Sequence, residues 1–150
     1  MPSIHTEVEI NSSPEQVRKT FLDFSSYPSW PTTFIKSIAP VDPNKPIEAG
    51  SRLTIELEGM SIKPILVTNS ADEFKWVGKL WNMPGLFTGH HYFKFMPSVK
   101  TAGATTFVQG EDFSGILSFL MAEESRFLSS TKKGFEGFNQ DLKKRCESGN

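Results

Sequence analysis

Cysteine is nearly absent from this chain, with Cys146 the only one in 150 residues. A lone thiol closes no internal disulfide, and its place near the end of a helical pattern marks a bystander, so disulfide scaffolds and dithiol redox chemistry are excluded. An excess of charge of one sign is missing too. Sixteen Lys and Arg stand against seventeen Asp and Glu, a formal net charge of -1, which leaves no basic field to hold nucleic acid or an anionic membrane surface. No apolar run approaches the roughly 20 residues of a membrane-spanning helix, and Met1-Pro2-Ser3-Ile4-His5-Thr6-Glu7 has neither the basic nor the apolar region of a secretory signal. The expectation is a cytoplasmic protein with no nucleic-acid partner and no integral membrane association. The GxGxxG, HExxH, paired CxxC and GxSxG spacings are lacking as well, and with them the strongest motif-based enzyme classes.

What the chain does have is phenylalanine: thirteen Phe beside three Trp and only two Tyr. Such an interior offers much ring area and few polar handles, which suits either a greasy cavity or a solid aromatic core. The length fits one domain over residues 1–150, enough to bury roughly two-thirds of the surface of the unfolded chain.

Order along the chain narrows the choice. Ile4, Thr6, Val8 and Ile10 alternate with His5, Glu7 and Glu9, the period of a half-buried strand. Ser13-Pro14-Glu15-Gln16 is a helix start, and Asn11-Ser12-Ser13, formally a glycosylation sequon, reads as its capping chemistry. Val17, Phe21 and Phe24 form an apolar stripe, and the helix should end near Asp23, before the two prolines of Ser25–Pro31. Strands are expected at Phe34–Ile38, Ser51–Glu58, Met60–Ser70 and Glu73–Leu80, with a hairpin turn at Gly59-Met60 and an edge or bulge at Pro64. The loop carrying Trp81, Met83, Leu86 and Phe87 exposes apolar residues, as a lid or a contact surface does.

The last two expected strands are Thr88–Met96 and Ala104–Ser114. After Gly115 the period becomes helical to about Cys146, with Leu120, Phe127, Leu128, Thr131, Phe135, Phe138 and Leu142 on one side. Gly134 and Gly137 each cost about 1 kcal/mol relative to Ala inside a helix, so they mark a bend or close packing against the sheet.

The strand at Thr88–Met96 carries the candidate chemistry. Lys94 marks its outer face, which puts His91, Phe93 and Phe95 inside and His90 and Tyr92 outside. Phe107, Gln109, Glu111 and Phe113 share one face of the next strand. If Phe95 pairs with Phe107, Phe93 faces Gln109 and His91 faces Glu111, with Cβ atoms roughly 5 Å apart. Glu111 can then fix the imidazole tautomer or hold the ring protonated, while His91 exchanges protons with a ligand carbonyl or enol. The alternative is structural: a buried His and Glu satisfy each other and set strand register. His90-His91 makes a poor metal pair, because successive strand residues point to opposite faces and no further ligand stands at metal spacing. No metal or other cofactor is expected. Gln109, Thr131, Asn139, beside the helical stripe, and Tyr92, on the wrong face, are further polar candidates near the pair, and each reads as structural.

The segments Gly50-Ser51-Arg52-Leu53, Trp76-Val77-Gly78-Lys79-Leu80, Gly89-His90-His91-Tyr92-Phe93, Gly110-Glu111-Asp112-Phe113-Ser114-Gly115 and Gly134-Phe135 with Asn139 follow a strand, a helix and the turn Tyr27-Pro28-Ser29-Trp30-Pro31. In this order they resemble the START-like, birch-pollen-allergen-like superfamily SRPBCC, in its polyketide cyclase/dehydratase-like branch, over nearly the whole chain. The resemblance implies an α+β helix-grip fold, in which a curved antiparallel sheet wraps a long C-terminal helix and encloses a hydrophobic cavity. His91 and Glu111 match the recurrent His and Glu of similar members. The expected cavity residues are Trp76, Phe93, Phe95, Phe107, Gln109, Phe113, Thr131, Phe135 and Phe138. The expected ligand is a small hydrophobic molecule, polyketide-like or polycyclic, in a monomer or homodimer. Cofactor-free cyclisation, dehydration or isomerisation would use His91 as general acid/base with Glu111 orienting it. A carrier or sequestration protein, or a chaperone-associated module using an exposed surface, are the competing classes.

Overall fold

A computed structural model describes residues 3–31, 33–79, 88–115 and 126–148. Strand β1 covers Ser3–Ile10, helix α1 Pro14–Leu22, and a 3₁₀ helix Phe24–Ser29. Strands β2 (Ile35–Pro40), β3 (Leu53–Leu57), β4 (Met60–Ile62), β5 (Ile65–Asn69), β6 (Glu73–Lys79), β7 (Thr88–Pro97) and β8 (Thr105–Ser114) follow, and helix α2 spans Arg126–Glu147. Trp81, Met83, Leu86, Phe87, Leu120 and the Phe127 side chain, singled out above, lie outside the described residues.

Helix α1 begins as its sequence dictates. The Ser13 hydroxyl accepts from the Gln16 amide at 3.1 Å, Pro14 occupies the first turn, and Val17, Thr20 and Phe21 are buried. Phe24, counted above with this stripe, falls in the following 3₁₀ segment. The β3–β4 turn is Glu58-Gly59 rather than Gly59-Met60, since Met60 already pairs with Leu57 and Gly59 takes the positive φ of +81°. Pro64 divides the expected Met60–Ser70 strand into β4 and β5, because it has no amide for the ladder.

Five strands form one antiparallel sheet in the order β1-β8-β7-β6-β5, and β2-β3-β4 form a second. The two are joined where Arg52 bridges Ile65, with the Leu53 amide on the Pro64 carbonyl and the Leu66 amide on the Ser51 carbonyl. The result is a curved antiparallel surface against which α2 packs Leu128, Phe135, Phe138, Leu142 and Cys146. Each fully buried ring or leucine of that face contributes about 1.5–3 kcal/mol of transfer free energy. Among the described residues no helix is long and apolar enough to cross a membrane.

One half of the interior is filled by rings. Phe21 lies 5.3 Å from Phe74, 4.7 Å from Phe93, 5.5 Å from Phe95, 6.4 Å from Phe107 and 6.3 Å from Phe138, centroid to centroid. Phe95, Phe107 and Phe138, expected on a cavity wall, therefore pack against α1 in a solid cluster. The reason is Phe21 itself, whose ring enters from the helix and occupies the space between them.

Candidate active site in the sheet-helix interior

The inner face of the large sheet is a lattice of cross-strand rows. Trp76 of β6 pairs with His91 of β7, His91 with Glu111 of β8, and Glu111 with Ile4 of β1. One row further along, Phe74, Phe93, Gln109 and Thr6 stand side by side in the same way, and Phe95 pairs with Phe107. The β7–β8 register is thus the one that the alternation of apolar residues and the Lys94 face predict. His90 and Tyr92 lie on the other face, where His90 Nε2 is 3.4 Å from the Ser114 hydroxyl.

His91 is enclosed by rings. Phe93 lies 4.6 Å away and nearly stacked, Phe135 at 4.6 Å, Trp76 at 4.7 Å and Phe34 at 6.3 Å. His91 is 3% exposed and Glu111 8%. Phe113 is buried with Leu128 and Phe135 in the neighbouring cluster, and Thr131 is half-buried on α2.

The partner that orients the imidazole is Gln109, not Glu111. His91 Nε2 stands 2.9 Å from Gln109 Oε1, whereas His91 Nδ1 is 3.7 Å from Glu111 Oε1, beyond hydrogen-bond reach. The expected pairing fails at the side chains because the Glu111 carboxyl turns toward Gly89. A Cβ on Gly89 would fall 2.1 Å from Glu111 Oε2, so the absent side chain is the seat of the carboxyl.

Two backbone carbonyls set the polarity of the hydrogen-bond chain behind His91. The Phe135 carbonyl can only accept, so the Gln109 amide group that meets it at 3.3 Å is Nε2, which also donates to Asn139 Oδ1 at 2.7 Å. The Gln109 carbonyl likewise takes the Thr6 hydroxyl proton at 2.7 Å, leaving Thr6 Oγ1 to accept from Asn139 Nδ2 at 2.8 Å. Gln109 Oε1 is therefore an acceptor facing His91, and the imidazole proton sits on Nε2. Its lone pair, on Nδ1, looks toward Glu111.

Thr6 and Asn139 belong to this network; the sequence gives Thr6 no role beyond its strand face and makes Asn139 a polar candidate with a structural reading. Asn139 follows Phe135 by four residues, a helical spacing that places both on the buried face of α2. Polar residues on otherwise apolar faces were the signal that links Thr6, Gln109 and Asn139.

Burial decides the charges. It lowers the His91 pKa to about 3, against the opposing pull of the Gln109 acceptor, and raises that of Glu111 to about 8, with the Asp112 carboxylate adding to the rise. At neutral pH the carboxyl holds its proton and the imidazole carries only the one on Nε2, without charge. The site presents an uncharged acid, Glu111, beside an uncharged base, Nδ1 of His91, within a shell of aromatic carbon. Such a pair can donate to a carbonyl or hydroxyl oxygen and accept from a hydroxyl or acidic C–H with no ion to desolvate.

A sheet that grips a C-terminal helix over a buried acid/base pair is a helix-grip, hydrophobic ligand-binding fold of the START and birch-allergen type. The chain belongs to the family described as polyketide cyclase / dehydrase and lipid transport, whose profile matches residues 1–147. Similar solved structures include a hypothetical protein from Helicobacter pylori, with a TM-score of 0.74 at 13% identity over 97% of this chain and 88% of that one. A START superfamily protein from Mycobacterium smegmatis has a TM-score of 0.67 at 17% identity over 97% of each chain. A norcoclaurine synthase point mutant from Thalictrum flavum, in complex with a transition-state analogue, has a TM-score of 0.70 at 9% identity over 98% of this chain and 94% of that one. At these identities the likeness is one of fold. No curated protein sequence matches the chain.

Proposed function

We propose that this protein binds a small hydrophobic molecule carrying an oxygen function, polyketide-like or polycyclic, between the large sheet and α2. Its reaction is a cofactor-free cyclisation, dehydration or isomerisation. Glu111 gives a hydrogen bond or proton to a ligand oxygen, and His91 Nδ1 takes a proton from the adjacent carbon or hydroxyl. Gln109 fixes the tautomer that leaves Nδ1 free. The observation that carries this reading is the 3.7 Å separation of Nδ1 and Glu111 Oε1. A pair kept only to set strand register would close that gap and satisfy itself; in this one the carboxyl is seated at Gly89 and leaves Nδ1 without its hydrogen bond.

The same hydrogen bonds would anchor a cargo without converting it, so a carrier or sequestration role is the second reading. It is favoured by the neutral state of the pair, which can hold a ligand oxygen with no proton transferred. Incubating the protein with an extract of the cells that make it, followed by native mass spectrometry, separates the two. A ligand recovered unchanged supports the carrier. A species that forms only with the active protein and is lost in His91→Ala supports the enzyme, and its mass separates dehydration from isomerising cyclisation. No retained small molecule and no product would refute both.

A further inference from the structure

Of the four described rings around His91, three are carried by regular elements: Trp76 by β6, Phe93 by β7 and Phe135 by α2. The fourth, Phe34, stands on the connection between the 3₁₀ helix and β2, with a φ of +68°. That left-handed backbone is rare for a bulky L residue and persists only where its surroundings hold it. Here they do. The Phe34 amide donates to Glu58 Oε1 at 2.8 Å, and its carbonyl accepts from the Glu58 amide at 2.9 Å. The Thr33 amide donates to Asp141 Oδ2 at 3.2 Å.

Helix α2 is cut to receive this segment. A Cβ at Gly134 would meet the Phe34 ring at 2.9 Å, and one at Gly137 would meet the Thr33 side chain at 2.4 Å. The two glycines therefore provide close packing against residues 33 and 34, not against the sheet as their sequence context suggested. Seated in this notch, the Phe34 ring lies 5.1 Å from Phe135 and 6.3 Å from His91, touching the helix side and the sheet side of the site together.

We propose that Phe34 is the specificity-determining ring of the His91–Glu111 site: it stands where the second ring of a larger ligand must go, and such a ligand displaces it. This rests on the ligand-binding reading above. The ring is half-buried, so it can leave toward solvent. Trp76, Phe93 and Phe135 have no such exit, since each is fully buried on a strand or helix.

Isothermal titration with phenol and with 2-naphthol tests the proposal, because the two probes share one hydroxyl and differ by one ring. In Phe34→Gly, which accepts the left-handed backbone, 2-naphthol affinity should rise roughly tenfold or more over wild type while phenol affinity stays within about threefold. Phe34→Leu, which still fills the notch, should give a smaller gain with the same preference, so the test does not rest on one variant folding. His91→Ala added to Phe34→Gly should remove the gain, placing it at this site. Equal changes for both probes, no change, or a gain that survives His91→Ala overturns the role of Phe34 and leaves the ligand-binding reading standing. Binding of neither probe by any of these proteins overturns that reading and the proposal with it.

Discussion

Glu111→Gln keeps the shape of the side chain and removes its titration, and the consequence can be worked out. The folded carboxyl titrates near pH 8, against 4.5 when unperturbed. Its folded pKa is raised, so its contribution to stability is complete below pH 4.5 and is lost as pH climbs to 8. His91 runs the other way. Its folded pKa is depressed from 6.5 to about 3, so its contribution is complete above pH 6.5 and is lost as pH falls toward 3. Each slope is about 1.4 kcal/mol per pH unit. Between pH 4.5 and 6.5 the two cancel, so the pair leaves wild-type stability level there and lowers it by roughly 2 kcal/mol from pH 6.5 to 8. In Glu111→Gln only the His91 slope survives: stability climbs to pH 6.5 and then stays level. The difference between the two proteins should therefore change by roughly 3 kcal/mol between pH 5 and 7, in favour of the variant at higher pH. Urea unfolding followed by tryptophan fluorescence at a series of pH values measures it. Parallel profiles for the two proteins would refute a buried, protonated Glu111.

Nitrogen NMR of the imidazole should find the His91 proton on Nε2 and no titration between pH 5 and 8; a proton on Nδ1 contradicts the polarity deduced from the two carbonyls, and a midpoint in that window contradicts the lowering of its pKa by burial. Gly89→Ala should fold, because the atom it meets is the far end of a side chain, with a stability cost of about 1–3 kcal/mol at pH 5. It should also move the Glu111 carboxyl from its seat and shift the alkaline limb of the stability profile, and an unmoved limb would show that the seat is immaterial. Phe21→Ala removes the ring at the centre of the filled half and should cost about 3–5 kcal/mol in urea unfolding; a cost below about 1 kcal/mol would mean that this half is not closely packed.

The register of β7 and β8 was legible because a single charged residue, Lys94, fixes the parity of an otherwise aromatic strand. The paired Phe95 and Phe107 leave little freedom to slip. The start of α1 was legible for a local reason, the hydroxyl and proline at its first positions. The partner of His91 was not. Gln109 and Glu111 lie two residues apart on one face, and the choice between them is made by the Phe135 carbonyl and by the space at Gly89, both distant in sequence. Nor does composition announce that Phe34 takes a positive φ, since that conformation is imposed by Glu58 and by a notch in a helix a hundred residues away. The sequence-level ambiguity between a solid core and a cavity ran along the same line: Phe21 fills one half, while the half beside His91 holds the polar groups.

Gln109 meets three groups with one amide. It holds the imidazole through its oxygen and the helix through its nitrogen, at the Phe135 carbonyl and at Asn139. A wedge that lifts α2 from the sheet at this point breaks the nitrogen side. The amide is then free to turn, and the proton it had pinned on Nε2 loses its fixed address. The tautomer of His91 is thereby tied to how far the helix stands from the strands, and under the proposed reading a ligand that fits beneath the closed helix would meet a defined lone pair on Nδ1, whereas one that pries it open would meet an imidazole free to exchange its tautomers.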